Sequence, residues 1–201
     1  MNFAIMTNIA ILASGSGTNA QRISEYFAGH PEIKVKMILS NKPDAFVLTR
    51  AEKLGIPCQV FDRRSFYETG SINELLKKND ISFIVLAGFL WLIPPDLLDT
   101  YPNRIVNIHP ALLPKYGGKG MYGEHVHEAV IRAGERESGI SIHYVNLSYD
   151  EGDIIFQARC PVLPGDTPAS LASRIHELEH EYYPRVIEDI LKSDAGKRDA
   201  G

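Results

Sequence analysis

Strand-length apolar runs alternate with helical segments along the first two thirds of the chain. The apolar runs cover residues 8–13, 34–39, 58–61, 80–87 and 105–108, and apolar residues recur at helical spacing over 20–27, 45–54, 72–78 and 124–133. This alternation is typical of an α/β protein with a doubly wound, mostly parallel sheet. Because residues 80–87 form the most hydrophobic run, they are predicted to be a central strand, and residues 8–13 are predicted to be an internal one.

The pattern changes after residue 138. Residues 139–147 alternate between apolar and polar side chains, residues 149–152 have the composition of a turn, and residues 154–160 form a second strand-like run. Two strands joined by a short turn are antiparallel. The sequence therefore predicts a C-terminal antiparallel strand pair.

A long final helix is predicted to follow this pair. Thr167 is a typical N-cap residue and Pro168 is typical of the first helical position, and helical spacing continues to about Leu191. No repeat or linker interrupts the chain. We therefore expect a single domain over residues 1–191, followed by a polar tail at 192–201 that frays.

Composition limits the classes of function. The 201 residues are 44% hydrophobic and 23% charged with a net charge of −4, which is ordinary for a globular protein and argues against a nucleic-acid partner. Cys58 and Cys160 form no metal or disulfide pattern and are expected to be buried thiols in a reducing compartment. No apolar run approaches the roughly 20 residues of a transmembrane helix, and the N-terminus lacks the basic region of a signal peptide. We expect a cytoplasmic location without a membrane partner.

The strongest candidate chemistry lies at the end of the strand at residues 105–108. Asn107 and His109 lie on the same face of this strand because side chains alternate with a period of two, and Pro110 prevents the strand from continuing. Ligands of open α/β sheets bind at the carboxyl ends of strands. An amide and an imidazole there could polarise a carbonyl group and move a proton. The alternative is a structural asparagine and a histidine that caps a turn.

A glycine-rich loop, Ser14-Gly-Ser-Gly-Thr-Asn19, connects the first strand to the first helix. Such a loop at a helix N-terminus binds phosphate through backbone N–H groups, and Thr18 and Asn19 add side-chain donors. A side chain at Gly17 is expected to occupy the place of the phosphate. The loop also fits the looser dinucleotide fingerprint Gly-x-Gly-x-x-Ala, although no ribose-binding acid follows the second strand. A tight turn without a ligand and an NAD(P)-dependent oxidoreductase are the alternatives.

Other segments carry less specific signals. The apolar loop at residues 88–94 could line a slot for a flat aromatic ligand or pack in the core, and Arg63-Arg64 could meet an anionic ligand or be solvated. Asp150 lies in a predicted turn, where a carboxylate often binds its own backbone. Residues 176–180 read His-Glu-Leu-Glu-His, the zincin pattern, but no third ligand follows. We expect no metal site.

Several segments, in this order, resemble the folate-dependent formyltransferases and especially the glycinamide ribonucleotide formyltransferase family. The matching segments are residues 11–19, 40–42, 86–89, 107–116, 143–145, 150–152 and 179–180. The resemblance implies a Rossmann-like fold and transfer of a formyl group from 10-formyltetrahydrofolate to the amine of glycinamide ribonucleotide, in purine biosynthesis. Both substrates are small molecules, no metal is required, and a monomer or homodimer is expected. Relatives with an added C-terminal or N-terminal domain fit the chain length poorly, whereas a sugar-nucleotide N-formyltransferase stays open.

The resemblance also implies roles for individual residues. It assigns catalysis to Asn107, His109 and Asp150, contacts to the substrate phosphate to Gly17, Thr18 and Asn19, and a ribose-hydroxyl contact to Glu179. Its folate-binding residues are Leu90, Trp91, Leu92, Ile93, Asn107, Asn146, Leu147, Ser148, Tyr149 and Asp150. Trp91, Asp153 and His176 depart from residues that relatives carry at these places (Arg, Pro and Gln). The arginine that meets the folate tail stays open between Arg63 and Arg64.

The mechanism expected from these residues is direct attack of the amine on the formyl carbon. The tetrahedral oxyanion requires hydrogen-bond donors, which Asn107 and protonated His109 would supply. A nearby Asp150 is expected to raise the pKa of His109. Besides the oxidoreductase, a folate- or nucleotide-binding module without catalysis remains an alternative, because the same loops would bind ligand.

Overall fold

A single sheet organises the part of the chain that the computed structural model describes, residues 6–199. Its strands are β1 (Thr7–Ala13), β2 (Ile33–Ser40), β3 (Cys58–Val60), β4 (Ile81–Leu86), β5 (Ile105–His109), β6 (Glu137–Tyr144) and β7 (Ile154–Pro161). The helices are α1 (Thr18–Tyr26), α2 (Phe46–Lys53), α3 (Arg63–Tyr67), α4 (Ser71–Lys78), α5 (Pro95–Thr100), α6 (Glu124–Arg132) and α7 (Pro168–Asp199).

The sheet has the strand order β3-β2-β1-β4-β5-β6-β7. Neighbouring strands from β3 through β5 are parallel, whereas β6 is antiparallel to β5 and β7 to β6. The predicted doubly wound, mostly parallel sheet with an internal first strand and a C-terminal antiparallel pair is confirmed. The order reverses between β1 and β4, which is the switch point where ligands bind in open α/β sheets.

Helices cover both faces of the sheet, because its strands carry apolar side chains on both faces, as β1 illustrates. Ile9 and Ile11 belong to one hydrophobic cluster, which α1, α2, α6 and α7 cover, whereas Ala10 and Leu12 belong to a second cluster beneath α3, α4 and α5. Successive strand side chains point to opposite faces. A strand that is buried on both faces needs a continuous apolar run, which explains the composition of β1 and β4.

The short helices α3 and α5 differ from the sequence prediction. Residues 63–64, for which no helix was predicted, begin α3. Its N-cap Asp62 accepts a hydrogen bond from the Ser65 backbone N–H at 2.8 Å. Pro95 occupies the first position of α5. Neither helix is long enough to show a hydrophobic period, and their signal lies in the capping residues alone.

The start of α7 is as predicted, because the Ser170 backbone N–H donates to Thr167 Oγ1 at 3.2 Å and α7 begins at Pro168. The helix continues past the predicted end near Leu191 to Asp199. Of the two cysteines, Cys160 is buried and Cys58 only half-buried, and both are free thiols. None of the helices in residues 6–199 combines the length and apolar character that crossing a membrane requires.

Candidate functional site

A cavity of about 640 Å³ opens at the carboxyl ends of β1, β4 and β5. Its walls come from the loops that follow these strands, from the first residues of α1, from α6 and from α7. The predicted site residues that line it are Gly17, Thr18, Asn19, Leu90, Trp91, Leu92, Ile93, Asn107, His109, Ser148, Tyr149, Asp150 and Glu179. Asn146, Leu147, Arg63 and Arg64 are not among its lining residues, and Leu147 is 61% exposed.

Asn107, His109 and Asp150 meet at one end of this cavity. Asp150 Oδ2 lies 3.5 Å from His109 Nδ1, and Asp150 Oδ1 lies 3.4 Å from Asn107 Nδ2. The backbone N–H of Gly118 donates to Asp150 Oδ2 at 3.0 Å. Asp150 has φ of 58°, in the left-handed region that a short polar side chain tolerates. The turn after β6 therefore folds over the end of β5, as the proposed coupling of Asp150 to His109 requires.

The pKa of His109 is lowered, contrary to the expectation. Burial of the ring, which is 3% exposed, is the largest cause and outweighs the raising effect of the Asp150 carboxylate. His109 Nε2 lies 2.7 Å from the carbonyl oxygen of Tyr116, which can only accept, so this nitrogen carries the hydrogen. Asp150 acts in the predicted direction, but the desolvation of the imidazolium is larger.

The pKa of Asp150 is lowered, so this carboxylate is ionised at neutral pH. Burial raises its pKa, but the hydrogen bond with His143, the nearby His109 and the Gly118 N–H together lower it further. An ionised, half-buried carboxylate at the end of a cavity can accept a proton or stabilise a developing cation.

His143 belongs to this cluster, and the sequence reasoning assigned it no role. It pairs with Asn107 across β5 and β6. Its Nδ1–H donates to the Tyr144 carbonyl oxygen at 2.8 Å, and its Nε2 lies 3.1 Å from Asn107 Nδ2 and 3.6 Å from Asp150 Oδ1. Alternation along β6 placed it on one face of the strand, but only the register with β5 brings it to Asn107.

The loop between β1 and α1 forms the other end of the cavity. The N-cap of α1 is Gly17, which provides no side-chain cap, so the N–H groups of the first turn remain available to an anion. The loop is fixed from outside, because the Arg50 Nε–H donates to the Ser16 carbonyl oxygen at 2.8 Å and the Val47 N–H donates to that of Gly15 at 3.1 Å.

The expectation about a side chain at Gly17 is wrong. Gly17 has φ of +74°, and a Cβ there would lie 2.4 Å from Val47 Cγ2 and 2.8 Å from Val47 Cα. It would therefore collide with α2 instead of entering the cavity. Gly15 also lines the cavity, but a Cβ on it would meet nothing within 4 Å.

Glu179 reaches the cavity from α7. The Asn19 amide Nδ2 donates to Glu179 Oε2 at 2.8 Å, and burial raises the pKa of this carboxyl group, although Asn19 and His176 act in the opposite direction. His176 and His127 line the cavity beside it. A buried carboxyl group that binds an amide here can accept a hydrogen bond from a ligand hydroxyl.

An aromatic wall borders the cavity near the end of β4. Trp91 contacts Phe61, Phe66, Tyr67 and Phe89 with ring centroids 5.8 to 6.3 Å apart. Both interpretations of the 88–94 loop therefore apply. Phe89 and Ile93 are buried in the core, and they also line the cavity together with Leu90 and Trp91. The Arg63 guanidinium lies 4.8 Å from the ring centre of Tyr67 and 5.8 Å from that of Trp91.

In the zincin-like segment of α7, the rings of His176 and His180 are stacked with centroids 6.2 Å apart. The glutamate at the catalytic place of the pattern is Glu177, whereas Glu179 is bonded to Asn19 and lines the cavity. Among residues 6–193, whose side chains the structure describes, no group of three or more His, Cys, Asp or Glu is arranged to hold a metal ion.

The fold and the site define a member of the formyltransferases. The sequence model of the family described as "Formyl transferase" matches residues 7–187, and the chain belongs to this family.

Similar proteins within the family share a more specific name. The chain is 39% identical over 199 residues to a chloroplastic phosphoribosylglycinamide formyltransferase of Arabidopsis thaliana, covering 96% of this chain and 68% of that protein. It is 37% identical to the phosphoribosylglycinamide formyltransferase of Haemophilus influenzae, covering 90% and 86%. The crystal structure of the Streptococcus pneumoniae enzyme of the same name superimposes with a TM-score of 0.82 at 38% identity, covering 92% and 99%.

Proposed function

We propose that this protein transfers the formyl group of 10-formyltetrahydrofolate to the amine of glycinamide ribonucleotide in purine biosynthesis. One observation carries the proposal: a single cavity joins a helix N-terminus suited to phosphate to the Asn107, His109 and Asp150 cluster. The acceptor substrate has the same two ends, a phosphate and a reacting amine. The names of the relatives agree with this substrate.

The acceptor binds between α1 and the end of β5 in this proposal. Gly17, Thr18 and Asn19 bind the phosphate through the N–H groups and side chains of the first turn of α1. Glu179 accepts a hydrogen bond from a ribose hydroxyl group. In support, Asn19 and Glu179 are bonded to each other and both line the cavity.

The folate lies against the opposite wall. The pterin binds between residues 90–93 and residues 146–150, with Asn107 at its edge, and Trp91 and Tyr149 contribute apolar surface. Arg63, which lies over Trp91, is better placed than Arg64 to meet the anionic tail of the folate. Asn146 and Leu147 would act through the shape of their loop, since the Ser148 N–H donates to Asn146 Oδ1 at 2.9 Å and neither residue lines the cavity.

The reaction proceeds by direct attack, without a covalent enzyme intermediate. The amine nitrogen forms a bond to the formyl carbon, the bond from this carbon to N10 breaks, and one proton moves from the amine to N10 through water. The Asn107 amide donates a hydrogen bond to the oxyanion. The His109 imidazolium, whose two N–H groups face Tyr116 and Asp150, stabilises the oxyanion through its positive charge. Asp150 is ionised and lies beside both, so it stabilises the imidazolium and can receive the proton that leaves the amine.

The proposal also covers the domain boundaries, the location and the oligomeric state of the protein. Residues 1–191 form one formyltransferase domain, which acts in the cytoplasm as a monomer or homodimer on two small-molecule substrates and without a metal.

The test is a formyl-transfer assay with purified protein. With glycinamide ribonucleotide and 10-formyltetrahydrofolate, we expect equal amounts of formylated ribonucleotide and tetrahydrofolate, and the same rate after treatment with a chelator. An amino-sugar nucleotide in place of the ribonucleotide is the matched alternative acceptor and should give no product. Product only with the amino sugar would overturn the proposed acceptor, and activity that chelation removes and zinc restores would overturn the metal-free mechanism.

A further inference from the structure

One imidazole on the cavity wall has no role in the mechanism above. His127 lies in α6, lines the cavity and is 3% exposed. Its Nδ1 atom is buried, and no described residue provides it with a hydrogen-bond partner. Buried polar atoms in proteins are nearly always hydrogen-bonded, so this exception beside a cavity points to a ligand that completes the bonding when the ring turns toward it.

His127 lines the cavity within electrostatic reach of both of its ends. Helix α6 packs against α7, and the pKa of His127 is lowered to about 4 by burial and by the electrostatic influence of His176 and of His109. It is therefore close to the ribose end of the cavity, where His176 and Glu179 lie, and also within electrostatic reach of the reacting end at His109.

The chemical state of His127 indicates what it can bind. A ring with a pKa of about 4 is neutral at neutral pH and offers one N–H donor and one acceptor nitrogen. It cannot bind phosphate as a cation, and it is poorly suited to general acid catalysis near pH 7. A neutral donor and acceptor matches the uncharged polar part of a ligand. Because no hydrogen bond holds Nδ1, rotation of the ring toward a ligand would break none at that atom.

We propose that His127 is a binding residue for the acceptor substrate and hydrogen-bonds the uncharged ribosyl-amide segment between its phosphate and its reacting amine. This inference rests on the proposed function, because that reaction requires an acceptor with a phosphate at one end and an amine at the other. The contact selects for an amide-linked ribose beside the wall that α6 contributes to the cavity.

The test compares three variants by steady-state kinetics, calorimetry and thermal unfolding. His127→Leu should raise the KM and the Kd for glycinamide ribonucleotide roughly 10-fold, as expected for one lost hydrogen bond. The KM for 10-formyltetrahydrofolate should not change. His127→Gln, which keeps a donor and an acceptor, should restore part of the affinity. His125→Leu is the matched control, since its side chain is 63% exposed on the same helix and pairs with Glu128, and it should behave as wild type.

The melting temperature distinguishes a binding role of His127 from a structural one. Leucine at residue 127 removes an unpaired buried polar atom, so the melting temperature of His127→Leu should equal or exceed that of wild type. A lower melting temperature together with a rise in both KM values would show a structural role and overturn the inference, as would wild-type affinity for the ribonucleotide in His127→Leu. If wild type itself neither binds nor formylates the ribonucleotide, the proposed function fails, and that result is visible before any variant is made.

Discussion

Two effects act in opposite directions on the imidazole of His109. Burial lowers its pKa, and the Asp150 carboxylate at 3.5 Å raises it. The hydrogen-bond geometry adds a preference, because the Tyr116 carbonyl and the ionised Asp150 are both acceptors that face its two ring nitrogens. The doubly protonated ring satisfies both acceptors, whereas the neutral ring leaves Nδ1 and Oδ2 facing each other without a hydrogen. Asp150 is therefore the group that makes the imidazolium attainable in a buried site.

Replacing Asp150 by Asn keeps the shape of the side chain and removes its charge. The pKa of His109 should fall further, since the remaining electrostatic neighbour, His143, and burial both lower it. Turnover should drop by at least about 10²-fold, as for one lost electrostatic group in a transition state. The KM values should change little, because the effect belongs to the transition state. An NMR titration of His109 and steady-state kinetics measure both quantities.

The control for this prediction is the double variant Asp150→Asn with His109→Asn. If the two residues act as a unit, the double variant should be scarcely slower than the slower single variant. Fully additive losses, combined with an unshifted titration of His109 in Asp150→Asn, would contradict the coupling.

At the scale of the elements, the two glycines of the loop before α1 have different structural roles. Gly17 provides a left-handed backbone position and makes room for α2, whereas Gly15 lies at the open wall of the cavity. The sequence motif showed that a strand, a loop and a helix suited to phosphate follow one another. It could not show which glycine faces the ligand, because that depends on how α2, about thirty residues further along, packs against the loop.

We expect Gly15→Val to obstruct the phosphate site without strain. Its side chain would extend into open space, so the free energy of unfolding should change by less than about 0.5 kcal/mol. The KM for the ribonucleotide should rise at least about 10-fold, because charge-assisted hydrogen bonds to phosphate are lost, and the KM for the folate should stay constant. Gly17→Val is the contrasting variant and should lower the free energy of unfolding by more than about 1 kcal/mol, through its positive φ and the contact with Val47. Equal rises in both KM values for Gly15→Val would count against phosphate binding by this loop.

The elements that the sequence predicted well are those with a hydrophobic period. β1 and β4 were recognised as buried strands because both faces of the sheet are covered. α3 and α5 were missed, since each is a helix of fewer than two turns whose sequence signals are a cap at Asp62 and a proline at Pro95.

At the scale of the whole molecule, the site depends on contacts between distant parts of the chain. Asn107 and His109 could be identified from one strand and the proline after it. His143 and His127 could not, because the register of β6 against β5 and the packing of α6 against α7 bring them to the cavity. A local motif identifies only the residues that it contains. The topology of the sheet and the packing of the helices bring the other lining residues to the cavity. The reversal of strand order at β1 and β4 creates the crevice that these residues share.

A ligand that binds this crevice should stabilise the whole fold, because it binds the native state and not the unfolded chain. At a concentration of 100 times its Kd, glycinamide ribonucleotide should add about 2.7 kcal/mol to the free energy of unfolding, which corresponds to a rise in Tm of roughly 5–10 °C for a chain of this size. Thermal unfolding with each ligand measures this. The folate should produce its own shift. At the same ligand concentrations, Gly15→Val should lose about half or more of the shift with the ribonucleotide, as its at least 10-fold weaker binding requires, and should keep the shift with the folate. NADPH is the control ligand, because the loop at residues 14–19 also fits a dinucleotide fingerprint. The second strand, β2, ends at Ser40 and is followed by Asn41 and Lys42. No carboxylate is present there to bind the ribose 2′-hydroxyl of NADH, so NADPH, whose 2′-phosphate is bound by a cation instead, is the dinucleotide to test. A rise in Tm with NADPH and none with the ribonucleotide would reverse the assignment of the loop and favour an oxidoreductase.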